Sequence, residues 1–375
     1  MTQHILTERL QQQAELLRMA PRSLQAVIQA SQPSWPGSTD PPPRAQNCAY
    51  TWMQVALHCL EQGWEHTALQ AWFQVGRHLP AQWDENALQA LGLNDSTALR
   101  ERSADLSRRR VARLKACLQP FAQAQGPAAV FRIERSLTGY LGQARVFSSH
   151  STQQPKLLFV PGLSTGGWID PHTIPLAQAL SAAYRNIREE FEEALHRGHP
   201  HEPFMGRLQP EVAQRYVSGS GRASWDAIFF DRHGRRHSDV HARYPKTSAV
   251  LDSAPRCHIP RQSPETCFSI LQPQTRIEPH YGVTNARVVV HLPLRVPAGC
   301  YLELVGVGRH LWHEGEVFAF DDTFFHAAEN PSDQVRGILL TDAWHPELSD
   351  VEQKAFTALI TTLTDLESPP DDDPE

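Results

Sequence analysis

The chain contains no C-x-x-C cysteine pair, no long hydrophobic run and no marked charge excess of one sign. Its six cysteines are scattered over 375 residues, so neither a zinc ribbon nor a disulfide framework is predicted, and a reducing compartment is expected. The N-terminal residues lack the apolar core of a signal peptide, and no run is long enough to cross a membrane. We therefore expect a cytoplasmic protein with no membrane partner.

Charge and composition narrow the class of protein further. The net charge of -6 is spread along the chain, and the one short basic run, Arg108–Arg110, falls in a predicted helix whose charged face is solvated. Nucleic acid is therefore not expected as a partner. A hydrophobic content of 41% supplies a sizeable core, and the length exceeds that of one ordinary domain.

The N-terminal third has helical periodicity. Helices are predicted over 6–30, 49–79 and 96–118, with a proline-rich break at 32–43. Inside the second range, Trp52–Leu60 and Thr67–Phe73 flank a turn at Gly63, which predicts an apolar helical hairpin. The hairpin resembles a single tetratricopeptide unit, although one hairpin without a second copy is also ordinary helical packing.

These patterns divide the chain into four parts. Residues 1–125 are predicted to form an α-helical domain, 126–155 a linker and domain entry, and 156–358 a β-rich domain. Residues 359–375 are predicted to hold the end of a C-terminal helix and an acidic tail. The tail, from Ser368, is rich in proline and aspartate, which favours disorder.

Two segments of the β-rich part carry histidines in a pattern that indicates a metal site. The segment 277–291 is predicted to be a turn around His280 followed by a strand, and period two places Arg287, Val289 and His291 on one face of that strand. The segment 315–326 is predicted to be an apolar strand that leads into a polar turn and His326. Neutral imidazole binds iron, zinc, copper or nickel, so His280 and His326 are the candidate ligands.

The position two residues after His280 distinguishes this site from the common two-histidine, one-carboxylate iron site. That position would carry the carboxylate, but here it is Gly282. The spacing therefore predicts two protein ligands and additional open positions at the metal, as in a catalytic site.

A further predicted strand, 335–340, carries Arg336 near its start. An arginine there can hold a carboxylate through two parallel hydrogen bonds. A dicarboxylate such as 2-oxoglutarate could chelate the metal at one end and reach this arginine with the other. The layout therefore indicates an oxygenase.

The chain resembles the aspartyl/asparaginyl β-hydroxylases, a family of Fe(II)- and 2-oxoglutarate-dependent dioxygenases. The resemblance covers roughly residues 156–356 and is specific in its combination of motifs. The motifs are Phe159–Leu163, Tyr244–Thr247, Phe268–Leu271, His280–Asn285, Asp321–His326 and Asp342–Leu348.

The resemblance implies a fold, a reaction and a set of cofactors. The fold would be α+β, with a double-stranded β-helix (jelly-roll or cupin-like) catalytic domain after the helical domain. The reaction would be hydroxylation of the β-carbon of an aspartyl or asparaginyl residue or a related amino acid. Fe(II), 2-oxoglutarate and O2 would be required, and the partner would be a peptide, protein or amino acid that carries Asp or Asn.

The resemblance also implies roles for individual residues. His280 and His326 would bind iron, and Ser269 and Arg336 would bind the distal carboxylate of 2-oxoglutarate. His291 would lie near the keto-acid end of the cosubstrate. Asp322, four residues before His326, would support the metal ligands through a hydrogen bond.

One position departs from the family pattern. Members commonly carry a second arginine two residues after the position of Arg287, and this chain has Val289 there. Arg287 is therefore the candidate for binding an acidic substrate group. The departure leaves open whether substrate binding or cosubstrate binding differs in this chain.

Three alternatives remain at this point. Gly162-Leu163-Ser164-Thr165-Gly166 matches the G-x-S-x-G nucleophile pattern of α/β-hydrolases, although no helix is predicted to begin at Ser164. The open position at Gly282 could also admit a halide, which would give a 2-oxoglutarate-dependent halogenase. Finally, Val289 could mark a decayed oxygenase site in a peptide-binding module that has no catalytic activity.

Overall fold

A computed structural model describes residues 44–78, 96–206, 210–213, 215–220 and 223–368. The chain divides into two compact units. The first holds residues up to Cys117 together with those from Leu359 onward, and the second runs from Leu118 to Ala358. The four-part division drawn from the sequence stays a prediction.

The first unit is helical and contains the predicted hairpin. Its helices are α1 (Arg44–Glu61), α2 (Glu65–His78) and α3 (Ser96–Ala116). Gly63 has a φ of 80° in the turn between α1 and α2, a conformation that favours glycine. Trp52 is fully buried, as expected for the apolar face of a packed helix.

The helix predictions for this unit are confirmed where the structure describes it. The likeness to a tetratricopeptide unit stays a prediction. The predicted helix at 6–30, the break at 32–43 and the acidic tail beyond Ser368 lie outside the described residues. Within the described residues, no helix is both long and apolar enough to span a membrane.

The second unit combines short helices with two β-sheets. Its helices are α4 (Gln119–Gln125), α5 (Phe131–Tyr140), α6 (Pro175–Ala182), α7 (Tyr184–His196), α8 (Pro210–Ala213), α9 (Ser238–Arg243), α10 (Pro245–Ser253) and α11 (Asp350–Glu367), which continues into the first unit. Its strands are β1 (Trp168–Ile169), β2 (Glu202–Pro203), β3 (Val217–Gly219), β4 (Trp225–Arg232), β5 (Arg235–Arg236), β6 (Thr266–Leu271), β7 (Thr275–His280), β8 (Arg287–Arg295), β9 (Tyr301–Leu304), β10 (Gly308–Leu311), β11 (Phe318–Phe320), β12 (His326–Asn330) and β13 (Arg336–Trp344).

The strands form a large and a small antiparallel sheet. The large sheet has the order β1-β11-β8-β13-β6-β4-β2, with β5 paired to β4, and the small sheet has the order β10-β9-β12-β7-β3. Strands that are distant in sequence lie side by side in both sheets, which is the topology of a double-stranded β-helix. The α+β fold predicted from the sequence is confirmed.

Alternation along β8 separates two apolar cores. Val288, Val290 and Leu292 pack in the cluster that contains helices α6 and α7, whereas Val289 belongs to the cluster on the opposite face of the sheet. Successive side chains of a strand point to opposite faces. The predicted face of Arg287, Val289 and His291 is confirmed, because all three line one cavity.

Close packing against helix α7 requires glycine in β13. A Cβ atom on Gly337 would lie 1.9 Å from the ring of Phe191, which is fully buried. The contact brings helix and sheet together directly beside Arg336 and so fixes the start of β13.

Candidate active site

His280 and His326 lie directly opposite each other in the small sheet. His280 ends β7 and His326 begins β12, and the two residues are register partners with ring centroids 4.2 Å apart. The prediction of a turn around His280 was wrong: His280 ends a strand, because β12 pairs with β7 as far as His280, where His326 lies opposite. The strand pairing holds the two imidazoles at fixed positions.

Backbone carbonyls orient both rings in the same way. The Nδ1 atoms of His280 and His326 lie 2.8 Å from the carbonyl oxygens of Glu278 and Phe324, respectively. Donation from Nδ1 leaves the lone pair on Nε2, which is the arrangement found in metal-binding histidines. Burial and the neighbouring His280 lower the pKa of His326 to about 3, and burial also lowers the pKa of His280. Both imidazole rings are therefore neutral, which is the form that can coordinate a metal through Nε2.

Gly282 faces the carboxylate of Asp322. A Cβ atom on Gly282 would lie 2.1 Å from Oδ1 and 2.3 Å from Oδ2 of Asp322, and the backbone N–H of Gly282 donates to the Asp322 carbonyl at 2.6 Å. The carboxylate of Asp322 therefore fills the space that a side chain at position 282 would need. Oδ1 of Asp322 is buried without a hydrogen-bond partner among the described residues.

Arg287 is held by two carboxylates. Its NH2 group donates to Oδ2 of Asp322 and its NH1 group to Oδ1 of Asp342, each at 2.9 Å. Burial alone would lower the pKa of Arg287, but Asp322 and Asp342 outweigh it and raise that pKa. Arg287 lines the cavity as predicted, yet both terminal nitrogens are already engaged, and its role in substrate binding stays a prediction.

Arg336 is buried without a carboxylate partner. It is 1% exposed, and its only hydrogen bonds within the described chain are long ones, from NH1 to the carbonyl and hydroxyl oxygens of Ser269 at 3.3 and 3.4 Å. Its Nε atom has no partner there, and burial lowers the pKa of Arg336 to about 10. A buried guanidinium without a counter-ion is costly, so Arg336 differs from an ordinary structural arginine.

The surroundings of Arg336 are polar but uncharged. The guanidinium lies 4.8 Å from the ring centre of Trp312, and both ring nitrogens of His291 are buried without partners in the described part of the chain. Burial and the nearby Arg336 lower the pKa of His291 well below its usual value, so His291 is neutral. Ser269 Oγ accepts a hydrogen bond from Trp225 Nε1 at 2.9 Å.

One cavity joins these groups and has a volume of about 160 Å³. The predicted site residues that line it are Ser269, His280, Arg287, His291, Asp322, His326 and Arg336. Four further lining residues that carry a polar side-chain atom were not identified from the sequence: Trp225, Glu265, Trp312 and Asp342. Period two along β13 places Asp342 on the face of Arg336, whereas no local sequence pattern distinguishes the other three.

The donor set fits a divalent iron and a dicarboxylate. Two neutral imidazoles with free Nε2 lone pairs suit iron, and the unpaired Arg336 suits a distal carboxylate. Within the described ranges, no group of three or more His, Cys, Asp and Glu side chains is arranged as a metal site. The two imidazoles are thus the candidate protein ligands of a metal bound here.

The hydrolase alternative has no structural support. Ser164 lies in an irregular segment and no helix begins there, although the nucleophile pattern requires a strand-to-helix turn. The backbone N–H of Ser164 donates to Oε2 of Glu347 at 3.0 Å, and its hydroxyl bonds to Oε1 of the same residue. Ser164 therefore anchors a loop.

Comparisons with known proteins match the part of the chain that contains this cavity. The model of the family described as aspartyl/asparaginyl beta-hydroxylase matches residues 181–346. The human aspartate beta-hydroxylase domain-containing protein 2 is 29% identical over 64% of this chain and 63% of its own length. The mouse protein of that name is 30% identical over 64% of this chain and 68% of its own length.

Two other matches are more partial. The human aspartyl/asparaginyl beta-hydroxylase is 29% identical over 56% of this chain but only 26% of its own length. A crystal structure of a Pseudomonas putida prolyl-4-hydroxylase matches with 12% identity and a TM-score of 0.26, over 48% of this chain and 92% of that one. A TM-score of 0.26 is too low to support an argument about the fold. The fold is therefore assigned from the strand pairing described above. From the family match and the coverage of the mouse relative, the chain belongs to the aspartyl/asparaginyl β-hydroxylase family.

Proposed function

We propose that the chain is an Fe(II)- and 2-oxoglutarate-dependent dioxygenase that hydroxylates the β-carbon of an aspartyl or asparaginyl residue or a related amino acid. The observation that carries the proposal is the buried guanidinium of Arg336, which has no carboxylate partner among the described residues, in the same cavity as two oriented, neutral histidines. Family membership supports the reaction class.

The predicted site residues would have separate roles in binding iron and 2-oxoglutarate. Nε2 of His280 and Nε2 of His326 would hold Fe(II), and Arg336 with Ser269 would hold the distal carboxylate of 2-oxoglutarate. Bound iron with 2-oxoglutarate and O2 supplies the oxidising power for C–H hydroxylation, and succinate and CO2 are released. Two imidazoles contribute no negative charge, so firm iron binding would depend on the cosubstrate.

The groups around Arg336 prepare that position for an anion. His291 packs edge-on against Phe318 and Phe320, each at 5.2 Å between ring centres, which fixes the imidazole in an apolar wall. Neutral His291 can donate a hydrogen bond without changing the charge of the site. A buried, positively charged position strengthens the hold on a carboxylate.

Asp322 would act as a positioning residue. Arg287 holds its carboxylate against Gly282, beside the strand ends that carry the two histidines. Its Oδ1 atom has no partner among the described residues and would be available to accept a hydrogen bond from a group held by His280 and His326. The same carboxylate argues against the halogenase alternative, since a halide there would be repelled.

Succinate formation is the first test. Metal-free protein would be reconstituted with Fe(II), ascorbate and 2-oxoglutarate, and native protein compared with His326→Ala and Arg336→Ala. The exposed residues His172 and Arg185 provide matched controls, as His172→Ala and Arg185→Ala. We expect succinate from the native chain and both controls, and none above background from the two site variants.

The opposite result identifies the binding-module alternative. If the native chain forms no succinate and calorimetry detects no 2-oxoglutarate binding, the cavity has no cosubstrate site and the proposal fails. Succinate formation that survives Arg336→Ala would contradict the assignment of Arg336 alone.

A further inference from the structure

We infer that the site accepts an uncharged side chain at the residue to be hydroxylated, asparaginyl in preference to aspartyl. The inference rests on the proposed function and refines its substrate. It follows from the number of cationic side chains in the cavity wall and from the anionic groups with which they are already paired.

Two cationic side chains line the cavity within the described residues, and neither is free for a substrate carboxylate. Arg336 takes the distal carboxylate of the cosubstrate under the proposed function. Arg287 donates to Asp322 and Asp342 at 2.9 Å each. Displacing either aspartate would leave a buried carboxylate unpaired, which costs more than a new ion pair returns.

Carboxylates outnumber cations around Arg287. Asp322, Asp342 and Glu265 all line the same cavity, and Asp342 is fully buried, with Oδ2 accepting from Ser263 Oγ and from the backbone N–H of Glu265, each at 2.9 Å. Two carboxylates therefore share the guanidinium of Arg287, and the carboxyl group of Glu265, which accepts a hydrogen bond from the backbone N–H of His233, lies in the same cavity wall. An aspartyl substrate would add a fourth carboxyl group at low dielectric, where like charges repel strongly.

The amide of an asparaginyl side chain can lie beside these carboxyl groups without like-charge repulsion. Its NH2 group can donate to a carboxylate oxygen, whereas an aspartate can only accept. Val289, near the start of β8, faces the cavity and pairs in register with Asp342 and Phe320 on the neighbouring strands. It supplies an apolar surface where a cation would be needed to hold an acid.

One cation outside the cavity wall has to be tested as well. Lys156 is exposed, but it is near enough to His280 to contribute to the lowering of its pKa. Its backbone N–H donates to the carbonyl oxygen of Gly282 at 2.9 Å, so its chain segment lies beside the site. Lys156→Ala measures whether its charge reaches the substrate.

The experiment compares two pools of short peptides with randomised flanks, identical except for Asn or Asp at the central residue. The full chain is reconstituted with Fe(II), ascorbate and 2-oxoglutarate, succinate is measured without peptide, and hydroxylated peptide is measured by mass spectrometry. We expect the Asn pool to give at least about tenfold more product than the Asp pool, from the cost of an unpaired carboxylate. Lys156→Ala should leave that ratio unchanged.

Two variants test the cause. Val289→Arg adds a guanidinium to the face that carries Arg287 and should reduce the Asn-to-Asp ratio several-fold, whereas Val289→Leu keeps the face apolar and should not. The ratio is internal to each protein, so a loss of folded protein does not change it.

Four results would overturn the inference. Equal or greater product from the Asp pool contradicts it, and so does a ratio that responds equally to Arg and Leu at position 289. Succinate formation without product from either pool rejects an asparaginyl substrate but leaves the proposed function in place. The absence of both succinate and 2-oxoglutarate binding rejects the proposed function, and the inference fails with it.

Discussion

Arg336 and Arg287 lie on neighbouring strands of the large sheet and line the same cavity, yet their surroundings are opposite. Arg336 has no carboxylate partner in the described chain, and its pKa is lowered by burial. Arg287 has two carboxylate partners, and its pKa is raised. The same side chain is thus prepared in one place to bind an anion and in the other to hold protein groups in position.

The difference shows that pairing, rather than residue type, separates a binding cation from a structural one. A buried guanidinium costs free energy in either place. Around Arg287 that cost is offset within the protein, whereas around Arg336 it is offset only when an anion is bound. Stability and ligand affinity should therefore respond differently to the loss of each arginine.

The largest effect is expected on stability. Arg287→Met leaves Asp322 and Asp342 buried without a counter-ion and should lower the free energy of unfolding by about 3–5 kcal/mol. Arg336→Met removes an unpaired buried charge and should leave that free energy unchanged or raise it. Urea denaturation of both variants, followed by tryptophan fluorescence, measures the two values. Equal losses would contradict the comparison.

The second prediction concerns affinity for 2-oxoglutarate. Arg336→Met should raise the Kd about 10- to 100-fold, because charge-assisted hydrogen bonds contribute about 1.5–3 kcal/mol. Arg336→Lys should give an intermediate Kd, since an ammonium keeps the charge but not the planar pair of donors. Calorimetric titration of the Mn(II)-loaded protein gives the values, with Arg185→Ala as the control. An unchanged Kd in Arg336→Met would remove the basis for its assignment.

Local sequence patterns predicted the strands and faces that carry the site, but not this pairing. Period two placed Arg287, Val289 and His291 on one face, and the apolar run after Arg336 predicted β13. The partners of Arg287 are 35 and 55 residues further along the chain. Their proximity arises only when β8, β11 and β13 come together in one sheet, which no local pattern encodes.

The residues near Arg336 could not be predicted from local sequence patterns either. Trp312 follows the short strand β10, and Trp225 begins β4, so neither stands out from ordinary core tryptophans in the sequence. Gly282 was recognised as an open position because it lacks a side chain. That Asp322 fills the adjacent space depends on the packing of two turns, and only the structure shows it.

The third prediction tests how tightly Asp322 is positioned. Gly282→Ala would place Cβ 2.1 Å from the Asp322 carboxylate, so Asp322 must move away from Gly282 and strain its bond to Arg287. We expect a loss of about 1–3 kcal/mol in the free energy of unfolding, as for other overpacked sites, together with weaker Mn(II) binding.

Two controls isolate that contact. A Cβ atom on Gly166 would meet no other atom of the described residues within 4 Å, so Gly166→Ala should be nearly neutral. In the double variant Gly282→Ala/Asp322→Ala the clash is absent, and the two losses should be less than additive. Full additivity would show that the two residues do not act on each other.

The smallest expected effect is a pH dependence of folding stability that arises from Glu265, in the region around Arg287. Burial raises the pKa of Glu265 from its usual 4.5 to about 7, and nearby Asp342 adds to the increase. Between these two values the folded chain binds more protons at Glu265 than the unfolded chain, so stability falls as the pH rises through that window. Glu265→Gln, which cannot ionise, should therefore lose less stability than the native chain between pH 5 and pH 8.

The difference should be about 1–2.5 kcal/mol, the upper value being the full linkage of that pKa shift over this pH range, or about 2–10 °C in Tm for a unit of this size, measured by thermal unfolding at both pH values. Glu134→Gln changes an exposed carboxylate and serves as the matched control, which should follow the native chain. The histidines of the cavity titrate equally in all three proteins and cancel in the comparison. A native-like pH profile in Glu265→Gln would mean that Glu265 stays ionised in the fold and adds a third negative charge to those of Asp322 and Asp342 around Arg287.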